Sequence, residues 1–243
     1  MKQLLFDILS NKKIARDIFE MVLSGDTSDI TRPGQFINIK LNNLFLRRPI
    51  SVCDYDDKTI TIIYKVVGEG TEKMSKMQSG TLDVLTGLGN GFDTEKSGNK
   101  PLLIGGGVGV PPMFNLCKKL ISEGKKPTVI MGFMNCEDVF YKTEFERLGA
   151  EVIVTTNNGS MGIKGFVTDA MKELNDYTYF YTCGPEPMLK GVYDESKTEG
   201  QLSFESRMGC GFGACMGCSC ETKYGNKRIC KDGPVLLKEE VIW

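Results

Sequence analysis

Apolar residues follow two different periods along the chain. Up to about residue 97 they fall in short alternating or β-branched runs. Phe36-Ile37-Asn38-Ile39-Lys40-Leu41 reads as a strand, and so does Thr59 to Val67, which follows the turn-like Asp54-Tyr55-Asp56-Asp57. Ile14, Ile18 and Val22 suit a strand or a helix equally, and Thr71 to Met77 predicts a short helix. Short strands between turn signals predict a small antiparallel barrel. The polar stretch Asp93 to Lys100 reads as a linker.

Beyond it the pattern changes. Strand-like Pro101 to Ile104, Thr128 to Met131, Glu151 to Thr155 and Tyr177 to Tyr181 alternate with helical stretches through Leu120, near Glu144 and from Val167 to Leu174. Strands alternating with helices predict a parallel sheet. After Gln201 a cysteine-rich segment begins. The expected fold class is therefore multidomain α+β, with an antiparallel barrel over 1–97, a parallel α/β domain over 98–200 and a small C-terminal module over 201–243.

Composition narrows the chemistry. In 243 residues, 30 Lys and Arg against 31 Asp and Glu leave a net charge of −1, without the basic excess of a dedicated nucleic-acid binder. The absence of histidine excludes His-dependent triads, two-His metal sites and Rieske clusters. No run of 18 apolar residues and no signal-peptide pattern occur, so neither a membrane span nor secretion is expected. Nine cysteines, an odd number with five of them between Cys210 and Cys230, do not suit a secreted disulfide framework; a cytoplasmic protein with a local cysteine-ligated site is expected.

Cys210, Cys215 and Cys218 are spaced C-x4-C-x2-C, and Cys230 follows twelve positions later. This is the spacing of plant-type [2Fe–2S] ligation. Thiolates that converge from one tight loop need small residues between them, and Gly211, Gly213, Ala214 and Gly217 supply these. A four-cysteine zinc site is the alternative, although zinc normally takes paired C-x2-C knuckles and only one such spacing occurs. Cys220 is the surplus cysteine and is read as a non-ligand.

The run Gly105-Gly106-Gly107-Val108-Gly109-Val110-Pro111-Pro112 follows a strand and opens a helix. Gly107, Gly109 and Pro112 occupy the places of a dinucleotide fingerprint, where the turn brings backbone and a helix N-terminus to a pyrophosphate. The acidic residue expected at the end of the second strand is missing from Gly132 to Cys136. Cys183-Gly184-Pro185 follows a strand, where ligands of such sheets bind; a plain turn is the alternative.

In this order RRPIS, YKVVGEGT, GGGVGVPPM, CGP, CGFGACMGC and CKDGP resemble the ferredoxin-reductase superfamily. More narrowly, they resemble the iron–sulfur electron-transfer subunits of NAD-dependent dihydroorotate dehydrogenases. The resemblance covers nearly the whole chain and is most specific after Glu205. It implies an FAD-binding barrel in which Arg48, Pro49, Ile50 and Ser51, then Ile63, Tyr64 and Lys65, then Gly70 and Thr71 hold the flavin. Arg48 would pair with the pyrophosphate, Ser51 would bond the flavin ring and Thr71 would add a hydroxyl donor. The glycine run and Cys183-Gly184-Pro185 would form the nicotinamide pocket, with Cys183 near the hydride-transfer site but not a covalent nucleophile. Asn135-Cys136 offers no cation for a 2′-phosphate, which favours NAD(H) over NADP(H).

The implied activity is electron relay through FAD and a [2Fe–2S] cluster between NAD(H) and an FMN-containing dihydroorotate dehydrogenase catalytic subunit, in a heterotetramer of two plus two serving pyrimidine synthesis. Another NAD(P)H-linked flavin/iron–sulfur reductase subunit, of ferredoxin:NADP, sulfide or sulfite type, is the alternative. A zinc-stabilised interaction module would be an alternative of another class. For Trp243, stacking on the flavin, as a terminal aromatic does among relatives, and a surface or interface role are the two alternatives.

Overall fold

The computed structural model describes residues 1–243. Six antiparallel strands close a barrel in the order β1-β2-β5-β4-β3-β6. They are β1 (Lys2–Ala15), β2 (Ile18–Ser24), β3 (Phe36–Lys40), β4 (Arg48–Tyr55), β5 (Thr59–Lys65) and β6 (Thr81–Leu88). The ambiguous Ile14–Val22 stretch is a hairpin with Ala15 opposite Ile18; Asp17 makes the tight turn at φ +58°. The short helix α1 (Glu69–Ser75) starts two residues earlier than its apolar pattern predicts, because the Thr71 hydroxyl accepts the backbone N–H groups of Val67 and Gly68 and starts it there.

Period-two alternation gives each barrel strand two different neighbours. Ile37 and Ile39 of β3 point into the barrel core with Phe6, Met21, Ile60, Ile62 and Tyr64, whereas Phe36 faces outward into a second core. Ile63 and Tyr64 are split in the same way between two cores.

The second sheet has seven strands in the order β10-β9-β8-β7-β11-β12-β15. β7 (Pro101–Gly106), β8 (Thr128–Phe133), β9 (Glu151–Thr156), β10 (Ile163–Lys164), β11 (Tyr179–Cys183) and β12 (Gly200–Ser203) run parallel, and β15 (Val235–Leu237) is antiparallel. On one face lie α2 (Pro111–Ser122) and α3 (Lys142–Arg147), whose buried Met113, Leu116, Cys117, Leu120 and Phe145 share a core with Ile18, Cys53 and Ile63 of the barrel. On the other lie α4 (Val167–Lys172) and α5 (Glu186–Glu195), the latter not evident in the apolar pattern. A hairpin of β13 (Ser219–Thr222) and β14 (Gly225–Arg228) lies between β12 and β15 in the chain.

Two expected boundaries look different in three dimensions. The break at 200/201 falls inside β12, so the sheet continues across it. The expected linker is tied down at its start: Asp93 N–H donates to Gln201 Oε1 (2.9 Å), and Gln201 Nε2 donates to the Asp93 carbonyl (2.8 Å). No helix is long and apolar enough to cross a membrane.

Candidate functional site

Two cavities meet at the C-terminal edge of the parallel strands. The first, about 400 Å³, lies against the barrel and is lined by Arg48, Pro49, Ile50, Ser51, Ile63, Tyr64, Lys65 and Thr71, with Phe36, Cys183, Ser203, Phe204, Glu205 and Met208. The two neighbouring arginines diverge. Arg47 is drawn to Asp83 at 2.8 Å, whereas Arg48 bonds the Leu46 carbonyl and lines the cavity. Gly70 lies behind Arg48: a Cβ there would sit 2.2 Å from Arg48 Nε. Its role is to leave room for that guanidinium.

Two side chains are committed elsewhere than the sequence suggests. The Thr71 hydroxyl caps α1 and donates to the Gly68 carbonyl (3.1 Å), so it is not a free donor. The Tyr64 hydroxyl donates to Asn11 Oδ1 (2.9 Å) inside the barrel, and burial raises it to about 12. Tyr64 therefore shapes the wall but does not present its hydroxyl there.

The second cavity, about 620 Å³, is lined by Gly106, Gly107 and Val108 at the end of β7, by Met134, Thr155 and Asn157 at the ends of β8 and β9, by Phe166, Val167 and Thr168 at α4, and by Pro185, Pro187 and Met188 at α5. Gly107 turns at φ +53°. A Cβ on Gly109 would stand 2.1 Å from the Cys183 carbonyl oxygen, so Gly109 lets the β7 turn close onto the end of β11. Pro112 is buried in the first turn of α2, where its missing N–H has no partner to lose. The C-terminal end of β11 divides the cavities: Cys183 lines the first and Pro185 the second. Burial pushes the Cys183 thiol up to about 12, with Glu205 adding to it, so the group stays a neutral thiol.

Asn135 does not line the cavity. Its side chain accepts the Glu137 N–H (2.9 Å) and caps a short turn; Asn157 lines the cavity instead. Sequence reasoning also missed Ser203, Phe204 and Glu205. Ser203 ends β12, a four-residue strand that spans the expected 200/201 boundary; the strand pairs Ser203 with Cys183, and Phe204 and Glu205 follow it, Glu205 reaching both cavities. Glu205 is an exposed residue, yet the cavity walls beside it desolvate its carboxyl enough to raise it above the usual range.

The cysteine loop lies beside the first cavity. Asn38 on the outer face of β3 donates to the Cys210 carbonyl (3.2 Å), and Phe36 and Met208, each two residues away, line the cavity. Cys210 Sγ receives the backbone N–H groups of Phe212 (3.5 Å), Ala214 (3.2 Å) and Cys215 (3.4 Å). Burial opposes ionisation here, but these donors outweigh it and draw the thiol down to about 6. Cys215 adjoins Cys210, while Cys230 N–H points at Cys218 Sγ (3.4 Å). Two cysteine pairs fit a centre of two irons, each taking two thiolates. Cys220 is on β13 opposite Lys227.

Comparison with known proteins agrees with this arrangement. Residues 205–242 match the iron–sulfur cluster binding domain of dihydroorotate dehydrogenase B, and residues 103–194 match an oxidoreductase NAD-binding domain. The dihydroorotate dehydrogenase B (NAD(+)) electron transfer subunit of Geobacillus sp. (strain WCH70) is 43% identical, over 100% of this chain and 99% of its own. That of Fusobacterium nucleatum is 41% identical over 95% of both chains. The chain belongs to the family of dihydroorotate dehydrogenase B electron-transfer subunits. This family places an iron–sulfur centre rather than zinc in the cysteine module. A solved NADH-dependent reduced ferredoxin-NADP oxidoreductase chain is 31% identical, with a TM-score of 0.89 over 98% of this chain and 90% of that one. A ferredoxin NADP+ reductase from Neisseria gonorrhoeae shares the fold at 20% identity, with a TM-score of 0.70 over 80% of this chain and 90% of its own.

Proposed function

We propose that the chain carries electrons between dihydroorotate oxidation on an FMN-containing partner subunit and NAD+, within a cytoplasmic heterotetramer of two plus two. The observation that carries this reading is the adjacency of three sites. The cavities share Lys65, Val108 and Glu205, and the cysteine loop is bonded to the strand that walls the first. Family membership supports FAD, a [2Fe–2S] cluster and NAD(H) as the groups involved. Nine unpaired cysteines suit a reducing compartment.

Bound in these places, FAD would exchange a hydride with NAD(H) and single electrons with the cluster. The chain's own residues hold and align. Arg48 supplies positive charge for the flavin pyrophosphate, with Pro49, Ile50, Ser51, Ile63 and the Tyr64 wall around the ring system and Gly70 and Thr71 shaping the end beside Arg48. Gly107 and the start of α2 receive the dinucleotide pyrophosphate, with Gly109 and Pro112 holding that turn. Phe166 and Met134, both exposed in the larger cavity, offer apolar surface to the adenine, and Asn157 offers its amide to the ribose. Cys183, Gly184 and Pro185 set the end of β11 between flavin and nicotinamide. Cys210 with Cys215, and Cys218 with Cys230, hold the cluster. Cys215, Phe212 and Met216 leave that loop open to solvent, where the partner would approach.

Coexpression with the candidate partner and anaerobic purification should yield dihydroorotate-dependent NAD+ reduction that requires both chains. A preparation with FAD and iron that NADH reduces, but that has no dihydroorotate activity, would assign the chain to another reductase partner.

A further inference from the structure

The barrel and the parallel sheet each build one cavity, so hydride transfer depends on how the two are held against each other. Among the polar contacts across this boundary, one part-buried bond leads to both walls. Tyr141, at the start of α3, donates its hydroxyl across the domain boundary to Glu20 Oε2 on β2 (2.7 Å). Glu20 is only 12% exposed, and its other oxygen takes Lys12 Nζ at 2.8 Å. The Cys53 thiol of β4 lies against the same hydroxyl.

Each partner leads to a cavity wall. Glu20 is paired with Ile63 in the β2–β5 register, next to Tyr64 and Lys65. The Tyr141 ring packs edge-on against Phe114 of α2 (5.1 Å, 80°) and against Phe140 (6.2 Å). Phe140 lines the dinucleotide cavity, and α2 begins at the glycine turn. Tyr141 reaches this position from a left-handed backbone, φ +63°, which an aromatic residue rarely adopts. Strain of this kind persists only where surrounding contacts impose it.

We infer that Tyr141 and Glu20 are positioning residues for hydride transfer, setting the register of the dinucleotide cavity against the flavin cavity. This rests on the reading above that NAD(H) and FAD occupy those cavities. Tyr141→Phe keeps the ring wedge and removes one bond. In the FAD-loaded complex the NADH KM should stay within about twofold, because the dinucleotide walls are intact. Turnover with ferricyanide should fall about tenfold, because reaction rates drop steeply when reacting groups are displaced by a fraction of an ångström. The long-wavelength absorbance of nicotinamide stacked on flavin should weaken in parallel. Glu20→Gln keeps an acceptor for the hydroxyl and should restore turnover to within about threefold of the parent. Lys118→Met breaks a different interdomain contact, the exposed pair with Asp54, and should leave turnover unchanged. Independently of activity, amide exchange in the β1–β2 hairpin and the first turn of α2 should speed up in Tyr141→Phe. Unchanged turnover and absorbance in Tyr141→Phe, or an equal loss in Lys118→Met, would overturn the positioning role. A parent complex that NADH does not reduce would instead remove the electron-transfer reading on which the role depends.

Discussion

The glycine turn after β7 and the glycine-rich loop around Cys210 look alike in sequence, yet different forces hold them. In the first, glycine exists so that protein can touch protein. Gly105, Gly106 and Gly109 each face a neighbour that a Cβ would strike, at 2.7, 2.4 and 2.1 Å, and β7 behind them is fully buried. In the second, Gly211 and Gly213 also make room, for Asn38 Nδ2 at 2.3 Å and Lys231 Cδ at 2.7 Å, but the left-handed turns they permit aim the N–H groups of Phe212, Ala214 and Cys215 at the Cys210 sulfur as well. Cys215 and Met216 stay exposed, and the inner anchor is the buried pair Cys218 and Cys230, packed with Ile229 and Leu236. Packing maintains the first loop, whereas the exposed outer half of the second would be held mainly by the ligation proposed for Cys210 and Cys215.

Substitutions at the cysteines should break this comparison most strongly. Cys210→Ser, Cys215→Ser, Cys218→Ser and Cys230→Ser should each lose iron, sulfide and the cluster spectrum, and with them electron exchange with the partner. Cys218→Ser and Cys230→Ser should also melt lower than Cys215→Ser, because their sulfurs fill core space and a hydroxyl there needs a partner. Cys220→Ser should keep the cluster. Full iron in Cys218→Ser together with loss in Cys220→Ser would reverse the ligand assignment.

Gly109→Ala tests the packing side. Its new methyl meets the Cys183 backbone rather than a flexible side chain, so a loss of about 3 kcal/mol in denaturant unfolding is expected. NADH reduction of the flavin should fall with it while iron content stays unchanged. Loss of iron in this variant would show that the two loops are coupled.

The smallest expected effect is at Glu205, where the cavities meet. Burial raises its carboxyl in the folded chain above the ordinary 4.5. An acid raised on folding favours the folded state below its unfolded value, and that contribution is lost as pH rises from about 4.5 through the folded value. Glu205→Gln should therefore melt slightly higher than the parent at pH 7, and the two curves should converge at pH 4.5 and below. Parallel melting curves across this range would place the carboxylate in open solvent.

Much of the fold was legible because its signals are local. Alternation in Phe36–Leu41, the change of period after Lys100 and the C-x4-C-x2-C spacing each depend on neighbours a few residues apart. Other elements escaped notice, β12, β15 and α5 among them; these three are short or carry a weak apolar pattern and are held by the sheet they join. The same division applies to the site. Gly107 and the four cysteines stand out by residue type and spacing, and Arg48 through the order of motifs that carries the family resemblance. Glu205, Asn157 and Phe166 reach the cavities only because parallel strands end at one edge. Tyr64 and Thr71 belong to recognisable segments, but their hydroxyls turn to Asn11 and to the Gly68 carbonyl, which no local pattern reveals.

By itself, then, the sequence determined the kinds of units present and the four-cysteine spacing of the last one, since hydrophobic period and ligand spacing are set by covalent order. Tertiary structure alone decided which strands share an edge, which of Arg47 and Arg48 remains free for a ligand, and how closely the two cavities and the cysteine loop approach. Those outcomes depend on contacts between residues far apart in the chain, such as Asn38 with Cys210 and Glu20 with Tyr141, whose partners are chosen only when the cores pack.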